Sequence, residues 1–286
     1  MPGLSPSQQV LGSREYTALS RYILGHHHLH HHYQTLEKTL DTLCEPVEDK
    51  FLNTRKPSDV EGLLFQAWEA VIAFAASTSH TSEQRQRLVD IMVNVKYRPT
   101  LTKDDQTCIV HGMTVWRDLP VLGWELRETW NFVEETDDNA VTAATANSDE
   151  KHKERWVNLN AWVASLVASL RTGHQKEPDY SLFCIWTVRT ALEQEGEVTN
   201  IAIKAAAVWF MYGAAAIWDL TTRQKSFDGE VAKPGSVEKG KSWTGFTEER
   251  WKAWVQRYAY LQNSISDQIT AELVGKALQA MKSAED

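Results

Sequence analysis

Between Thr199 and Asp219 the chain reads Thr-Asn-Ile-Ala-Ile-Lys-Ala-Ala-Ala-Val-Trp-Phe-Met-Tyr-Gly-Ala-Ala-Ala-Ile-Trp-Asp, apolar around nearly the whole circumference of a helix. A helix without a polar face must be surrounded by other elements or by lipid. A membrane span needs about 20 predominantly apolar residues. Here Lys204 interrupts the run, and its alanines favour close packing against protein. The segment therefore predicts a buried central helix, and it demands a shell of other helices around it.

The rest of the chain supplies that shell. Apolar residues recur at helical spacing over Ser13 to Leu24, Tyr33 to Cys44, Leu63 to Ala75, Leu88 to Val95, Glu154 to Leu170, Tyr180 to Glu195, Thr247 to Leu261 and Ile265 to Met281. Ser58, Asp59 and Thr81 to Glu83 offer starting caps, and Pro46 and Pro57 punctuate the early part. The segments around residues 63–75 and 88–95 are expected to pair antiparallel. Thr100 to Thr114 reads as an irregular connection, with a short extended piece near Cys108, Ile109 and Val110. No alternating run is long enough for a sizeable sheet. The expected fold is all-α, one irregular multi-helix bundle over residues 1–286 around the central helix, with mobile surface loops at 134–153 and 225–244.

With 286 residues and 42% hydrophobic content, the chain has ample core material. A net charge of −8 without a basic stripe disfavours nucleic acid and anionic membrane partners, because both recruit clustered cations. Three scattered cysteines, Cys44, Cys108 and Cys184, fit reduced thiols better than a disulfide framework. The N-terminus lacks the basic start and apolar run of a secretory signal, so a cytoplasmic location is expected.

Chemistry-bearing patterns fall in three places. In Trp116-Arg117-Asp118-Leu119-Pro120 and the helix after it, Trp124, Arg127, Glu128 and Asn131 share one face, while Leu122, Leu126, Trp130 and Val133 take the other. That face reads either as a pocket wall, with Arg127 pairing a carboxylate and Glu128 or Asp118 moving protons, or as a buried Arg127–Glu128 bridge that locks the turn. In Arg155-Trp156-Val157-Asn158-Leu159-Asn160-Ala161-Trp162, Asn158, Trp162 and Ser165 align; the amide either orients a ligand carbonyl or caps a neighbouring segment. On the central helix, Trp209, Tyr212, Ala216 and Asp219 form a stripe with Gly213 allowing close approach. Tyr212 is either a satisfied core phenol or a group meeting an apolar ligand.

The candidate catalytic residues are thus Asp118, Arg127, Glu128 and Tyr212. Trp116, Trp124, Asn131, Asn158, Trp162 and Trp209 are the candidate substrate contacts. The tract His26-His27-His28-Leu29-His30-His31-His32 has metal-compatible i,i+4 spacing, yet no carboxylate is placed to complete a site. Acidic residues at 134–139 lack a second metal-binding partner. Nucleotide loops, paired Cys-x-x-Cys, His-Glu-x-x-His and nucleophile-elbow motifs are missing from the sequence, and no cofactor or dedicated metal is expected.

Trp116-x-Asp118-Leu119-Pro120, Leu126-Arg127-Glu128-x-Trp130-Asn131, Arg155-Trp156-x-Asn158-Leu159-Asn160-Ala161 and Arg250-Trp251-x-x-Trp254, in this order, resemble the fungal family of domain of unknown function 3632 over most of Leu63 to Met281. The resemblance implies a helical, cytoplasmic fungal protein, some of whose relatives are encoded near natural-product pathways. It transfers no catalytic residue. Trp162 stands where the family often has phenylalanine, and Ser165 near a frequent arginine. The expected function is a cofactor-independent enzyme acting on an apolar small molecule in fungal secondary metabolism, by cyclisation, isomerisation or dehydration; the alternative is a non-catalytic helical binding or scaffold protein. The first expects an enclosed aromatic cavity with converging polar groups, the second polar groups that tie helices together.

Overall fold

The computed structural model describes residues 6–25, 35–131, 143–170 and 178–286. Its fold is predominantly α-helical, and among the described residues the strands are limited to two tiny hairpins. Contacts divide the chain into two compact units, one of Met1–Leu159 with His174–Pro178, the other of Asn160–Gly173 with Asp179–Asp286.

The first unit begins with α1 (Gln8–Leu11) and α2 (Arg14–Leu24), whose N-caps Ser7 and Ser13 accept from the Val10 and Tyr16 amides. Helices α3 (Leu36–Thr54), α4 (Glu61–Ser77) and α5 (Gln84–Lys96) follow. Helix α3 continues through Pro46, which sequence reasoning took as a break. A mid-helix proline costs about 3 kcal/mol. The buried stripe Leu40, Leu43, Cys44, Val47, Phe51 extends unbroken past it, and burial of Val47 and Phe51 offsets that cost. Arg98 reaches both Glu48 (2.9 Å) and Asp41 (3.5 Å), fastening the same helix beyond α5.

Helix α4 is the centre of this unit, packing against α2, α3, α5 and α6 (Leu122–Asn131). Trp68, Val71, Ile72 and Phe74 are buried on it. Two short antiparallel hairpins, β1 (Thr102–Lys103) with β2 (Gln106–Thr107) and β3 (Ile109–Val110) with β4 (Met113–Thr114), occupy the stretch expected to be irregular with one extended piece.

Helix α7 (Ala143–Leu170) corrects the second expectation, a polar loop over 134–153. Residues 143–153 are helical, and residues 134–142 lie outside the described residues. Ala143, Ala144 and Ala146 are strong helix formers, and Asp149 and Lys153 have stabilising i,i+4 spacing. The local polarity hid those propensities.

The second unit contains the remainder of α7, α8 (Leu182–Leu192), α9 (Asn200–Thr222), α10 (Glu248–Ser264) and α11 (Gln268–Glu285). The predicted central helix is α9, which packs against α8, α10 and α11. Gly213 lies against Ala164 of α7, where a Cβ would stand 3.3 Å from the Ala164 carbonyl oxygen. One strip of α9, including Tyr212, Ala215 and Ala216, reaches solvent; its alanines made the helix read as apolar all round. Thr247 caps α10 by accepting from the Arg250 amide. Residues 225–244 connect α9 to α10 with one 3-10 turn (Ser236–Glu238), and Ser226 bridges to Gly245.

Helices over Pro57–Ser77 and Asn200–Thr222 are long and apolar enough to cross a membrane by length and composition, and more than half of each is buried in the structure. Cys44, Cys108 and Cys184 are buried free thiols. Burial pushes the Cys108 thiol up to about 11 and raises the Cys44 and Cys184 thiols as well, which makes them poor nucleophiles.

Candidate functional site

The turn before α6 holds an unusual backbone. Trp116, Leu119 and Val121 have φ of 71°, 46° and 60°, the left-handed region that a β-branched residue such as Val121 rarely adopts. Such residues cost on the order of 1–3 kcal/mol each, so surrounding contacts must hold them. Asp118 does so directly. Its carboxylate accepts from the Thr114 amide (2.6 Å) and from Arg117 Nε (2.8 Å) and Nη2 (2.7 Å). Trp68 Nε1 donates to the Pro120 carbonyl at 2.8 Å, and Trp116, Leu119 and Val121 are buried. Burial alone would raise the Asp118 carboxyl, but the Arg117 guanidinium and the Thr114 amide outweigh it and hold the group below the ordinary range. Asp118 is therefore an ionised acceptor closing a turn.

Helix α6 buries Leu122, Leu126 and Trp130, the core stripe read from sequence. Its other side faces solvent. Arg127 and Glu128 are exposed, which corrects the expectation of a buried Arg127–Glu128 bridge. Periodicity separated the two faces properly but could not say that the polar one meets water. Trp124 remains 47% exposed. Its ring lies 4.6 Å from that of His111, whose Nε2 is 2.9 Å from Glu61 Oε1. Burial, then the charges of Glu69 and Glu128, raise the half-buried Glu125 carboxyl. The Asn131 side chain lies outside what is described.

On α7 the two asparagines have different tasks. Asn158 Oδ1 accepts from the His80 amide (2.8 Å) and its Nδ2 donates to the Ala76 carbonyl (3.1 Å), capping the C-terminal end of α4. Asn160 is fully buried, and its Oδ1 accepts from Thr187 Oγ1 (2.8 Å) and Trp209 Nε1 (2.7 Å), joining α7, α8 and α9. Sequence reasoning singled out Asn158 and passed over Asn160, although both lie in one motif. Ser165 bonds back to the Ala161 carbonyl. Trp116 and Trp162 are buried with indole nitrogens that have no hydrogen-bond partner among the described residues.

The strongest polar cluster was not anticipated. Glu193, 1% exposed at the end of α8, receives Arg250 Nε (2.8 Å) and Nη2 (3.0 Å), Trp254 Nε1 (2.6 Å) and the Gly235 amide (2.9 Å). Arg250 also donates Nη1 to the carbonyls of Ala232 (2.7 Å) and Gly245 (3.1 Å), and Nη2 to that of Lys233 (3.4 Å). All five guanidinium N–H groups are thus engaged. The rings of Trp243 and Trp254 lie 5.4 and 5.5 Å from its central carbon. Gly235 is required, since a Cβ there would overlap the Glu193 carbonyl. The only sequence signal was the Arg250-Trp251-x-x-Trp254 motif; Glu193 itself reads like part of a solvated acidic run.

Tyr212, the remaining catalytic candidate, borders an open groove of about 310 Å³ formed within the second unit by α7, α9 and α11. Its lining is mostly alanine and glycine, with Phe210, Met211, Tyr212 and Ser283. Trp209 is buried on the same helix but its indole N–H is engaged by Asn160. Among the candidates, Trp124, Arg127 and Glu128 share the solvent face of α6, while Asp118 is bound into the preceding turn. Among the described residues no three histidine, cysteine, aspartate or glutamate side chains converge as a metal site, and the His26–His32 tract lies outside the described residues.

A family model described as "Protein of unknown function (DUF3632)" matches residues 68–258, two-thirds of the chain, and the protein belongs to that family. No curated protein and no solved structure matches it.

Proposed function

We propose that this DUF3632 protein is a non-catalytic helical binding or scaffold protein whose small-molecule site is the open groove bordered by Tyr212. The observation that carries this reading is the destination of its buried polar groups. Asn158 ends on the Ala76 carbonyl and His80 amide, Asn160 on Thr187 and Trp209, and Glu193 and Arg250 on each other, two loop segments and an indole. Each joins elements of the fold. The groove lining offers apolar area, a phenol and a hydroxyl, a composition suited to an apolar ligand with one or two polar ends.

A thermal-shift and tryptophan-fluorescence screen against apolar small molecules tests the assignment. A ligand should stabilise the wild type and lose its effect in Ala215→Trp, which fills the groove from an exposed position. Stabilisation that survives Ala215→Trp, or a flat response across the screen, would remove the groove from consideration.

A further inference from the structure

The solvent face of α6 exposes a large aromatic side chain among charged ones. A tryptophan left 47% exposed is large apolar area in water, and this one is held in place instead of swinging free. His111, at the tip of the β3–β4 hairpin, packs against the indole at 4.6 Å, and Glu61 at the start of α4 fixes that imidazole at 2.9 Å. At the hairpin tip His111 and Gly112 both take left-handed backbone, with φ of 49° and 76°. The indole is therefore presented with little ordering left to do on binding.

Charge specifies what would dock there. Helix α4 carries Glu61 and Glu69, and α6, packed against it, carries Glu125, Glu128 and a single cation, Arg127. Glu128 is exposed one turn after Trp124, at i+4. Helical side chains lean toward the N-terminus, which directs the Glu128 carboxylate over the turn that bears the indole. A π-face beside a carboxylate is complementary to a planar guanidinium, which stacks on the ring while its N–H fork meets the oxygens. An ammonium makes a weaker match, being compact and strongly hydrated.

We propose that the Trp124–Glu128 face of α6, with His111 and Glu61 as its support, docks an arginine-bearing basic segment of a partner protein. This surface lies in the first unit and is independent of the groove ligand; the two assignments fail separately, because the groove is probed by Ala215→Trp and this face by substitutions on α6.

The experiment uses the full chain and a fluorescently labelled arginine-serine peptide, followed by anisotropy at low and physiological salt. Trp124→Ala and Glu128→Gln alter exposed side chains, and circular dichroism checks that both variants fold. Each should weaken binding about two- to fivefold, affinity should fall with added salt, and Glu272→Gln on exposed α11 surface should change nothing. A wild type that does not bind, variants that bind like the wild type, or a lysine-serine peptide held as tightly as the arginine one would each overturn the proposal.

Discussion

Arg250→Met is the perturbation for which the structure gives the clearest magnitude. The substitution keeps most of the aliphatic stem and removes five donors. Glu193 then remains at 1% exposure with only the Gly235 amide and the Trp254 indole to receive, and the Ala232, Lys233 and Gly245 carbonyls lose their guanidinium. Breaking a buried ion pair on one side costs about 3–5 kcal/mol, a large fraction of the 5–15 kcal/mol typical of whole proteins. For a chain of this size that corresponds to a fall in Tm on the order of 10 °C. Urea unfolding followed by tryptophan fluorescence and circular dichroism should show a lower midpoint for Arg250→Met and for Glu193→Ala. The double variant should cost less than the sum of the singles, because the second change removes the stranded partner. Lys252→Ala, which breaks an exposed pair with Glu248, serves as the contrast at well under about 1 kcal/mol. A loss below about 1 kcal/mol for Arg250→Met, or additive singles, would refute the reasoning that this pair clamps the 225–244 connection.

Further predictions concern pH and backbone. The Asp118 carboxyl is depressed in the folded protein, so its contribution is present above its ordinary value of 3.8 and is lost as pH falls from there through the folded value; Asp118→Asn should destabilise by about 1–2 kcal/mol at neutral pH and flatten acid unfolding, measured by urea titrations from pH 7 to pH 2. Glu125 is shifted the opposite way, so Glu125→Gln should stabilise at neutral pH and lose that advantage below the ordinary value of 4.5, where the wild-type carboxyl is protonated folded or unfolded. Gly235→Ala should destabilise by about 1–3 kcal/mol through overpacking against the Glu193 carbonyl, seen as a lowered Tm; a neutral effect would show that this contact is loose.

Much of the local structure was legible because its causes are local. Ser13 and Thr247, where two of the expected helices open, cap them with their own side chains, whereas the expected caps Ser58, Asp59 and Thr81 to Glu83 give α4 and α5 no side-chain cap; the Leu122, Leu126, Trp130 stripe obeys the helical period. What escaped has non-local causes. Helix α3 passes Pro46 because Val47 and Phe51 find a core, and no property of Glu193 announces an arginine 57 residues further on. The α6 face illustrates the boundary: sequence spacing grouped Trp124, Arg127 and Glu128, and only the packed fold could show that they meet solvent. Asn158 and Asn160 differ in the same way, since two residues along a helix turn one amide toward α4 and the other toward Trp209.

The central claim is that this protein binds without catalysing, and the fate of a bound ligand tests it most directly. A compound that stabilises the protein in the thermal screen should be incubated for hours in large molar excess and recovered for mass spectrometry. The compound should be recovered unchanged, with a constant mass and chromatographic position. Time-dependent conversion, abolished by Tyr212→Phe in a variant that remains folded, would contradict the claim and restore the enzyme reading.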